Sequence, residues 1–198
     1  MVITYLGEGF FRLQSGESVC LVDPVKARHK AALILKTLTP TSDFYFEKKK
    51  SMFTFKDEAL EISFPGAYEA HGWEVQGFPI EEESSEKMIK TGYVLRREEM
   101  SVGIVGPLRK TLDVELAEQF GDLDLLLIPA NGEAFLTPGG IAKMVKQFSP
   151  HVVIVGTEQG AKQVLKTLGQ EGDIQEKVVL KKKDVSGDGS RVVVLTNT

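Results

Sequence analysis

Two short apolar runs in the second half of the chain, which do not alternate with polar residues, most constrain its fold. They read LDLLLIP (residues 123–129) and HVVIVG (residues 151–156). A strand that is covered on one face alternates apolar and polar residues, whereas a strand that is covered on both faces is apolar throughout. We therefore expect each run to be a buried strand in a layered α/β fold.

Three segments near these runs have the spacing of amphipathic helices. The first is predicted over residues 111–121, with Thr111 as its N-cap. The second is predicted to start at Thr137, because a threonine followed by proline is typical of an N-cap and the first helical position. The third is predicted from residue 159 and ends at Gly169.

The first half of the chain is different, since residues 2–95 hold short β-rich segments separated by glycine and proline. This pattern predicts a meander, with turns at Ser15-Gly16, at Pro65-Gly66 and at Gly77. At the other end of the chain, VVLKKKD (178–184) and SRVVVLTN (190–197) flank a Gly-Asp-Gly turn. We expect these two segments to form an edge hairpin.

Composition limits the classes of function. The chain has 198 residues, enough for one large core, and we expect a single domain over residues 1–198. A formal net charge of -4 disfavours nucleic acids and anionic membranes as partners. No apolar run approaches the roughly 20 residues that span a bilayer, and the N-terminus lacks a signal-peptide pattern, so a cytoplasmic location is expected. The single cysteine, Cys20, is predicted to be buried.

Three longer segments carry the pattern of a known family. Residues 2–24 read VITYLGEGFFRLQSGESVCLVDP, residues 64–80 read FPGAYEAHGWEVQGFPI, and residues 101–132 run from SVGIVG to LLLIPANG. Together they resemble the metallo-β-lactamase superfamily, in particular its small stand-alone Zn-dependent hydrolase-like members. The resemblance implies a four-layer αββα sandwich whose first strand pair ends at Asp23-Pro24.

The same resemblance implies a metal site whose ligands this chain has largely replaced. In the family, the next buried strand delivers a His-x-His-x-Asp-His cluster that holds two metals. Here the strand AALILKTL (31–38) is followed by TPTSDFYF (39–46), which has no histidine and keeps one acid, Asp43.

Three further family positions also differ. The aspartate that bridges the metals is replaced at Gly106-Pro107, and the last histidine is replaced by Thr157 or Glu158. The early Gly-His turn of many relatives is Gly7-Glu8-Gly9 in this chain. The framework of the family is therefore present, whereas its zinc ligands are not.

The histidines of the chain do not supply a replacement site by their spacing. His29, His71 and His151 are the only three, and none has the spacing of a zinc-ligand pair with another. We interpret His29 and His151 as loop residues. Glu69 and His71 are two residues apart and would face the same side of a strand, which is more typical of a structural hydrogen bond than of a metal site.

We therefore predict a degenerate metallo-β-lactamase-fold protein that lacks the dinuclear zinc site, is not catalytic, and binds a small molecule or a protein. No cofactor, membrane or nucleic acid is expected, and a homo-oligomer is compatible with this function. The residues predicted to line the pocket are Glu8, Asp23, Asp43, Glu69, His71, Asn131 and Glu158.

The alternative is a metal-dependent hydrolase of esters or phosphodiesters. In the resembled fold, the loops that carry Glu8, Asp23, Asp43 and Glu158 converge at one mouth of the sandwich. Carboxylates suit Mg²⁺ or Mn²⁺, and a metal-bound water can attack an ester or phosphodiester. Only under this alternative would zinc, manganese or magnesium bind, and the predicted ligands are then Glu8, Asp23, Asp43 and His71.

Overall fold

The computed structural model describes residues 1–25, 30–43, 54–56, 59–130, 135–170, 173–186 and 189–197. In these residues, two sheets pack face to face. The strands of the first sheet are β1 (Val2–Tyr5), β2 (Phe11–Ser15), β3 (Ser18–Val22), β4 (Leu33–Leu35), β6 (Thr54–Lys56), β7 (Ala59–Ile62) and β15 (Lys177–Val179). Their order across the sheet is β15-β1-β2-β3-β4-β7-β6.

The second sheet is larger and contains the two apolar runs. Its strands are β5 (Leu38–Pro40), β8 (Gly66–Ala70), β9 (Trp73–Pro79), β10 (Met88–Arg97), β11 (Met100–Ile104), β12 (Leu125–Pro129), β13 (Val152–Thr157), β14 (Asp173–Gln175) and β16 (Arg191–Thr196). Their order is β14-β16-β13-β12-β11-β10-β9-β8, and β5 pairs with the start of β10.

The main core lies between the two sheets. Leu13 and Leu33 of the first sheet and Leu125 and Ile154 of the second are completely buried in it. Cys20 belongs to the same core, as predicted, and burial raises the pKa of its thiol far above the ordinary value.

Helices cover the outer face of the second sheet. They are α1 (Val114–Gln119), α2 (Pro138–Phe148) and α3 (Ala161–Leu168). Apolar side chains of all three pack with outward-facing residues of β12, β13 and β16 in a second core cluster. The prediction that residues 123–129 and 151–156 are strands covered on both faces is therefore confirmed, and β12 and β13 pair in parallel.

The predicted start of the second helix and the predicted end of the third agree with the structure. The Thr137 side chain caps α2 by accepting a hydrogen bond from the Gly140 backbone N–H at 3.2 Å. Helix α3 ends at Gly169 in the left-handed conformation, as predicted. The predicted cap at Thr111 is wrong, because the Asp113 carboxylate accepts the Leu116 N–H at 2.7 Å and α1 begins only at Val114.

Two predicted connections also differ. Gly77 lies inside β9 rather than in a turn, and glycine is needed there because a β-carbon would come within 2.9 Å of the Tyr93 ring. The predicted hairpin of the tail is wrong as well, since β15 pairs with β1 in the first sheet and β16 pairs with β13 in the second. The turn at Ser15-Gly16 is confirmed and joins β2 to β3.

The strand directions bring several loops to one end of the sandwich. Strands β3, β4 and β7 run parallel to one another, as do β11, β12, β13 and β16. The segments that follow their carboxyl ends meet the β1–β2 loop, and we call this end the mouth. It comprises residues 6–10, 23–25, 36–37, 105–107, 129–130, 157–159 and 197. In the described part of the chain, no helix is long and apolar enough to cross a membrane.

Candidate functional site

Asp23 and Thr37 are joined by two hydrogen bonds at the mouth. Asp23 follows β3 and Thr37 follows β4, and these strands are neighbours in the first sheet. The Thr37 backbone N–H donates to Asp23 Oδ1 at 2.7 Å, and the Thr37 hydroxyl donates to Asp23 Oδ2 at 2.5 Å. Each carboxylate oxygen of Asp23 therefore already accepts a hydrogen bond from within the protein.

The environment of Asp23 makes its carboxyl a weak acid. Burial raises the pKa of Asp23 to about 6, and the hydrogen bonds from Thr37 and the charge of Lys36 offset only part of this effect. Tyr93 lies close enough for the Asp23 charge to affect its own pKa, which burial raises well above the usual value. The Tyr93 hydroxyl donates to the Lys36 carbonyl at 2.9 Å. Asp23 is therefore surrounded by groups that are held by internal hydrogen bonds.

Two further threonines, Thr39 and Thr41, continue the hydrogen bonding from Thr37 along β5. The Thr39 hydroxyl donates to the Ser63 carbonyl at 3.0 Å, and the Thr41 hydroxyl donates to the Glu86 carbonyl at 2.7 Å. We call Thr37, Thr39 and Thr41 the threonine seam. Backbone bonds add to it, since the Thr91 N–H donates to the Thr37 carbonyl at 2.9 Å and β5 pairs with β10. The seam thus ties the end of β4 in the first sheet to the second sheet.

Gly106 completes this closure from the second sheet. It follows β11 with a φ of +64°, in the left-handed region that favours glycine. A β-carbon at this position would overlap the Thr37 hydroxyl. The loop after β11 can therefore lie against the threonine seam only because residue 106 has no side chain.

Thr157 is the corresponding buried polar residue at the end of β13. It is fully buried, and its hydroxyl lies 2.8 Å from the Ala130 carbonyl and in hydrogen-bond contact with the Gln159 carbonyl. A hydroxyl has one proton to donate, so these two carbonyls share it. Thr157 therefore fastens the end of β13 to the end of β12.

Glu8 and Glu158 lie together at the outer side of the mouth. A Glu158 Oε1 atom accepts the Glu8 backbone N–H at 2.9 Å, and the Asn197 side chain donates to the Leu6 carbonyl at 3.2 Å. These residues line a groove of about 320 Å³ together with Phe10 and other apolar side chains. The two sheets are thus joined here by contacts from β13 and β16 to the β1–β2 loop.

The remaining predicted pocket residues lie elsewhere. Asp43 is exposed at the end of a helical turn at residues 41–43. Glu69 lies near the end of β8 and His71 in the β8–β9 turn, at the end of the sandwich opposite the mouth. There the His71 carbonyl accepts a hydrogen bond from Arg97 at 2.6 Å. Asn131 and His29 lie outside the described residues.

The structure therefore gathers only part of the predicted set. Glu8 and Glu158 come together, and Asp23 lies at the same mouth, whereas Glu69 and His71 do not reach it. Among the described residues, no group of three or more His, Cys, Asp or Glu side chains is arranged to hold a metal ion.

Sequence reasoning missed Thr37 and Tyr93, which surround Asp23. Thr37 lies at the end of an apolar strand, where the sequence signal is indistinguishable from that of any strand end. Tyr93 lies inside β10, where an aromatic residue is ordinary core. By contrast, the sequence did single out Thr157, because it follows the run HVVIVG where the resembled family has its last histidine.

The sequence of the chain matches a known protein family. The sequence profile of the Beta-lactamase superfamily domain matches residues 2–155, which is most of the chain. The chain therefore belongs to this superfamily, and the fold predicted from the sequence resemblance is confirmed.

Solved structures with the same fold cover nearly the whole chain. A protein from Thermotoga maritima, assigned as a Zn-dependent hydrolase of the metallo-β-lactamase superfamily, is 17% identical with a TM-score of 0.74, over 100% of this chain and 99% of its own. A protein from Parabacteroides distasonis, assigned as a metal-dependent hydrolase, is 17% identical with a TM-score of 0.64, over 99% and 93%. A metallo hydrolase from Ignicoccus hospitalis is 13% identical with a TM-score of 0.65, over 98% and 94%. A search of curated protein sequences finds no match.

Proposed function

We propose that this chain is a non-hydrolytic member of the superfamily, which binds a small molecule or a protein at the mouth without a metal ion. The observation that carries the proposal is the double hydrogen bond between Asp23 and Thr37. Thr37 donates one hydrogen bond to each carboxylate oxygen, so this internal contact sets the orientation of the Asp23 carboxylate and leaves only the second lone pair of each oxygen for any other partner.

The other polar groups of the mouth support the same proposal. Thr157 and Tyr93 are buried, and their hydroxyls contact backbone carbonyls. Zinc prefers imidazole and thiolate ligands, and no imidazole lies among the described residues of the mouth. The residues of the mouth therefore do not fit the dinuclear metal centre of the family.

Glu8 and Glu158 leave a second candidate function to test. They are two carboxylates at one groove, and hard cations such as Mg²⁺ and Mn²⁺ prefer oxygen ligands. A metal-dependent hydrolase would have to use these acids together with Asp23, whose oxygens each keep one lone pair beside the hydrogen bond from Thr37.

The experiment is to purify the full chain without a histidine tag and to measure its metal content and its melting temperature with Zn²⁺, Mn²⁺ and Mg²⁺. The proposal predicts substoichiometric metal, no change in melting temperature, and no turnover of ester or phosphodiester substrates. Stoichiometric metal, or turnover that Asp23→Asn abolishes, would instead establish the hydrolase. Binding is measured separately, by amide shifts of Thr37 and Thr157 during a screen of small ligands.

A further inference from the structure

Among the strands that the structure describes, β8 presents the longest free edge. The end strands of the described sheets are β6, β14 and β15, with three residues each, and β8, with five. Strand β8 pairs with β9 on one side, and no strand in the described part of the chain pairs with its other side. Its sequence, GAYEA, contains neither the lysine nor the proline that proteins often place in exposed edges.

The β8–β9 turn determines which backbone groups this edge offers. The turn has two residues, His71 and Gly72, with φ of 52° and 74°, as in the type I′ turns of tight hairpins. Ala70 and Trp73 flank it and form a hydrogen-bonded pair, so the pairs alternate from there along the strand. The N–H and C=O groups of Ala67 and Glu69 consequently point away from β9, and both residues are exposed.

The charges next to this edge are unbalanced. Glu69 lies directly opposite Glu74 on the same face, and like charges in this arrangement repel. Arg96 lies opposite Glu74 on its other side, in β10. The row therefore runs from Arg96 to Glu74 to Glu69, and in the described part of the chain no strand continues it with a cation beside Glu69.

We propose that β8 is a docking edge for an extended, basic segment of a partner protein. The segment would pair with β8 as an additional strand, bind the outward N–H and C=O groups of Ala67 and Glu69, and place a lysine or arginine beside Glu69. This is recognition by strand addition, in which main-chain bonds supply affinity and side chains supply specificity.

A second copy of this chain fits the edge less well. Antiparallel self-pairing centred on Tyr68 would place Ala67 opposite Glu69 of the other copy and would supply no cation. The proposal concerns the end of the sandwich away from the mouth, so it does not depend on whether the mouth is catalytic.

The test uses the full ¹⁵N-labelled chain and two blocked nine-residue peptides, one of alternating lysine and valine and one of alternating glutamate and valine. The lysine peptide is expected to shift the amide signals of β8 and to slow hydrogen exchange at Ala67 and Glu69. The glutamate peptide is expected to do neither. No response of the β8 amides to the lysine peptide, or an equal response to both peptides, would overturn the proposal.

A matched pair of variants separates a specific contact from general attraction to an acidic protein. Glu69→Lys should weaken binding of the lysine peptide at least about fivefold, because it replaces an attraction with a repulsion. Glu176→Lys changes the net charge equally but lies between β14 and β15, and β14 is the end strand at the opposite edge of the second sheet, so this variant should leave binding within about twofold of the original. An equal loss of affinity in both variants would refute docking at β8. Thermal unfolding confirms that both variants are folded, and Glu69→Lys should be no less stable, since it removes the repulsion with Glu74.

Discussion

The Asp23 carboxylate accepts hydrogen bonds from both the backbone N–H and the hydroxyl of Thr37, at the point where the two sheets meet. The N–H of Thr37 lies 2.7 Å from one carboxylate oxygen, and its hydroxyl lies 2.5 Å from the other. Through Gly106 and the threonine seam, this pair also contacts the loop after β11 and the start of β10. A hydrogen-bonded contact between the sheets thus lies where the family resemblance places a metal centre. Its contribution to the free energy of unfolding can be measured.

Removing the Thr37 hydroxyl should destabilise the fold. Thr37→Val keeps the shape of the side chain and the backbone N–H but leaves Asp23 Oδ2, which is partly buried, without this donor. A fully buried unpaired acceptor costs about 1–3 kcal/mol, so we expect a loss of about 1 kcal/mol in the free energy of unfolding in urea at neutral pH. Thr167→Val is the control, because Thr167 is exposed on α3 and its hydroxyl has no such role. Equal stability of the two variants would show that the Asp23–Thr37 bond contributes nothing.

The contribution of Asp23 to the free energy of unfolding should fall as pH rises from about 4 to about 6. The pKa of Asp23 is about 6 in the folded protein, against an ordinary value of 3.8, so the folded state holds a proton that the unfolded state has already released. The contribution is fully present below the unfolded pKa and is lost as pH passes the folded pKa. The loss is at most about 3 kcal/mol. Asp23→Asn cannot titrate, and the difference in unfolding free energy between the two proteins should change over this pH interval. A constant difference would contradict the raised pKa.

The parts of the fold that the sequence predicted are those whose signal is local. The runs at 123–129 and 151–156 are apolar because β12 and β13 are covered by the first sheet on one side and by helices on the other. The Thr137-Pro138 pair likewise carries its own capping chemistry. These features do not depend on which distant segment lies beside them.

The parts that were missed depend on pairings between distant residues. A Gly-Asp-Gly turn between two β-rich segments favours a hairpin, yet β15 and β16 pair with strands about 175 and about 40 residues away, in different sheets. The threonine seam similarly depends on β5 leaving the first sheet to pair with β10. Glu8 meets Glu158 only because the sandwich closes, whereas Glu69 and His71 are separated from the mouth by the length of β8.

Substitutions in the β10–β11 turn should raise the free energy of unfolding. Its two residues, Glu98 and Glu99, both have positive φ, at 51° and 62°, although the type I′ turn favours asparagine and glycine there. A left-handed conformation costs about 1–2 kcal/mol for most residues. Glu98→Asn combined with Glu99→Gly should therefore raise the free energy of unfolding by about 1–2 kcal/mol. Urea unfolding measures it, and an unchanged midpoint would mean that this turn is not strained.

Gly106 and Gly121 form a matched pair that isolates the contact between the two sheets. Both have φ near +65°, so an alanine at either position meets the same backbone strain of about 1 kcal/mol. The space around them differs, because a β-carbon at Gly106 would overlap Thr37, whereas nothing lies within 4 Å of one at Gly121. Gly106→Ala should therefore lower the free energy of unfolding by about 1–3 kcal/mol more than Gly121→Ala, as expected for overpacking. The excess should shrink in the Thr37→Gly background, where both the hydroxyl and the β-carbon of Thr37 that would overlap are absent. Equal losses in Gly106→Ala and Gly121→Ala would show that the loop after β11 does not press on the threonine seam.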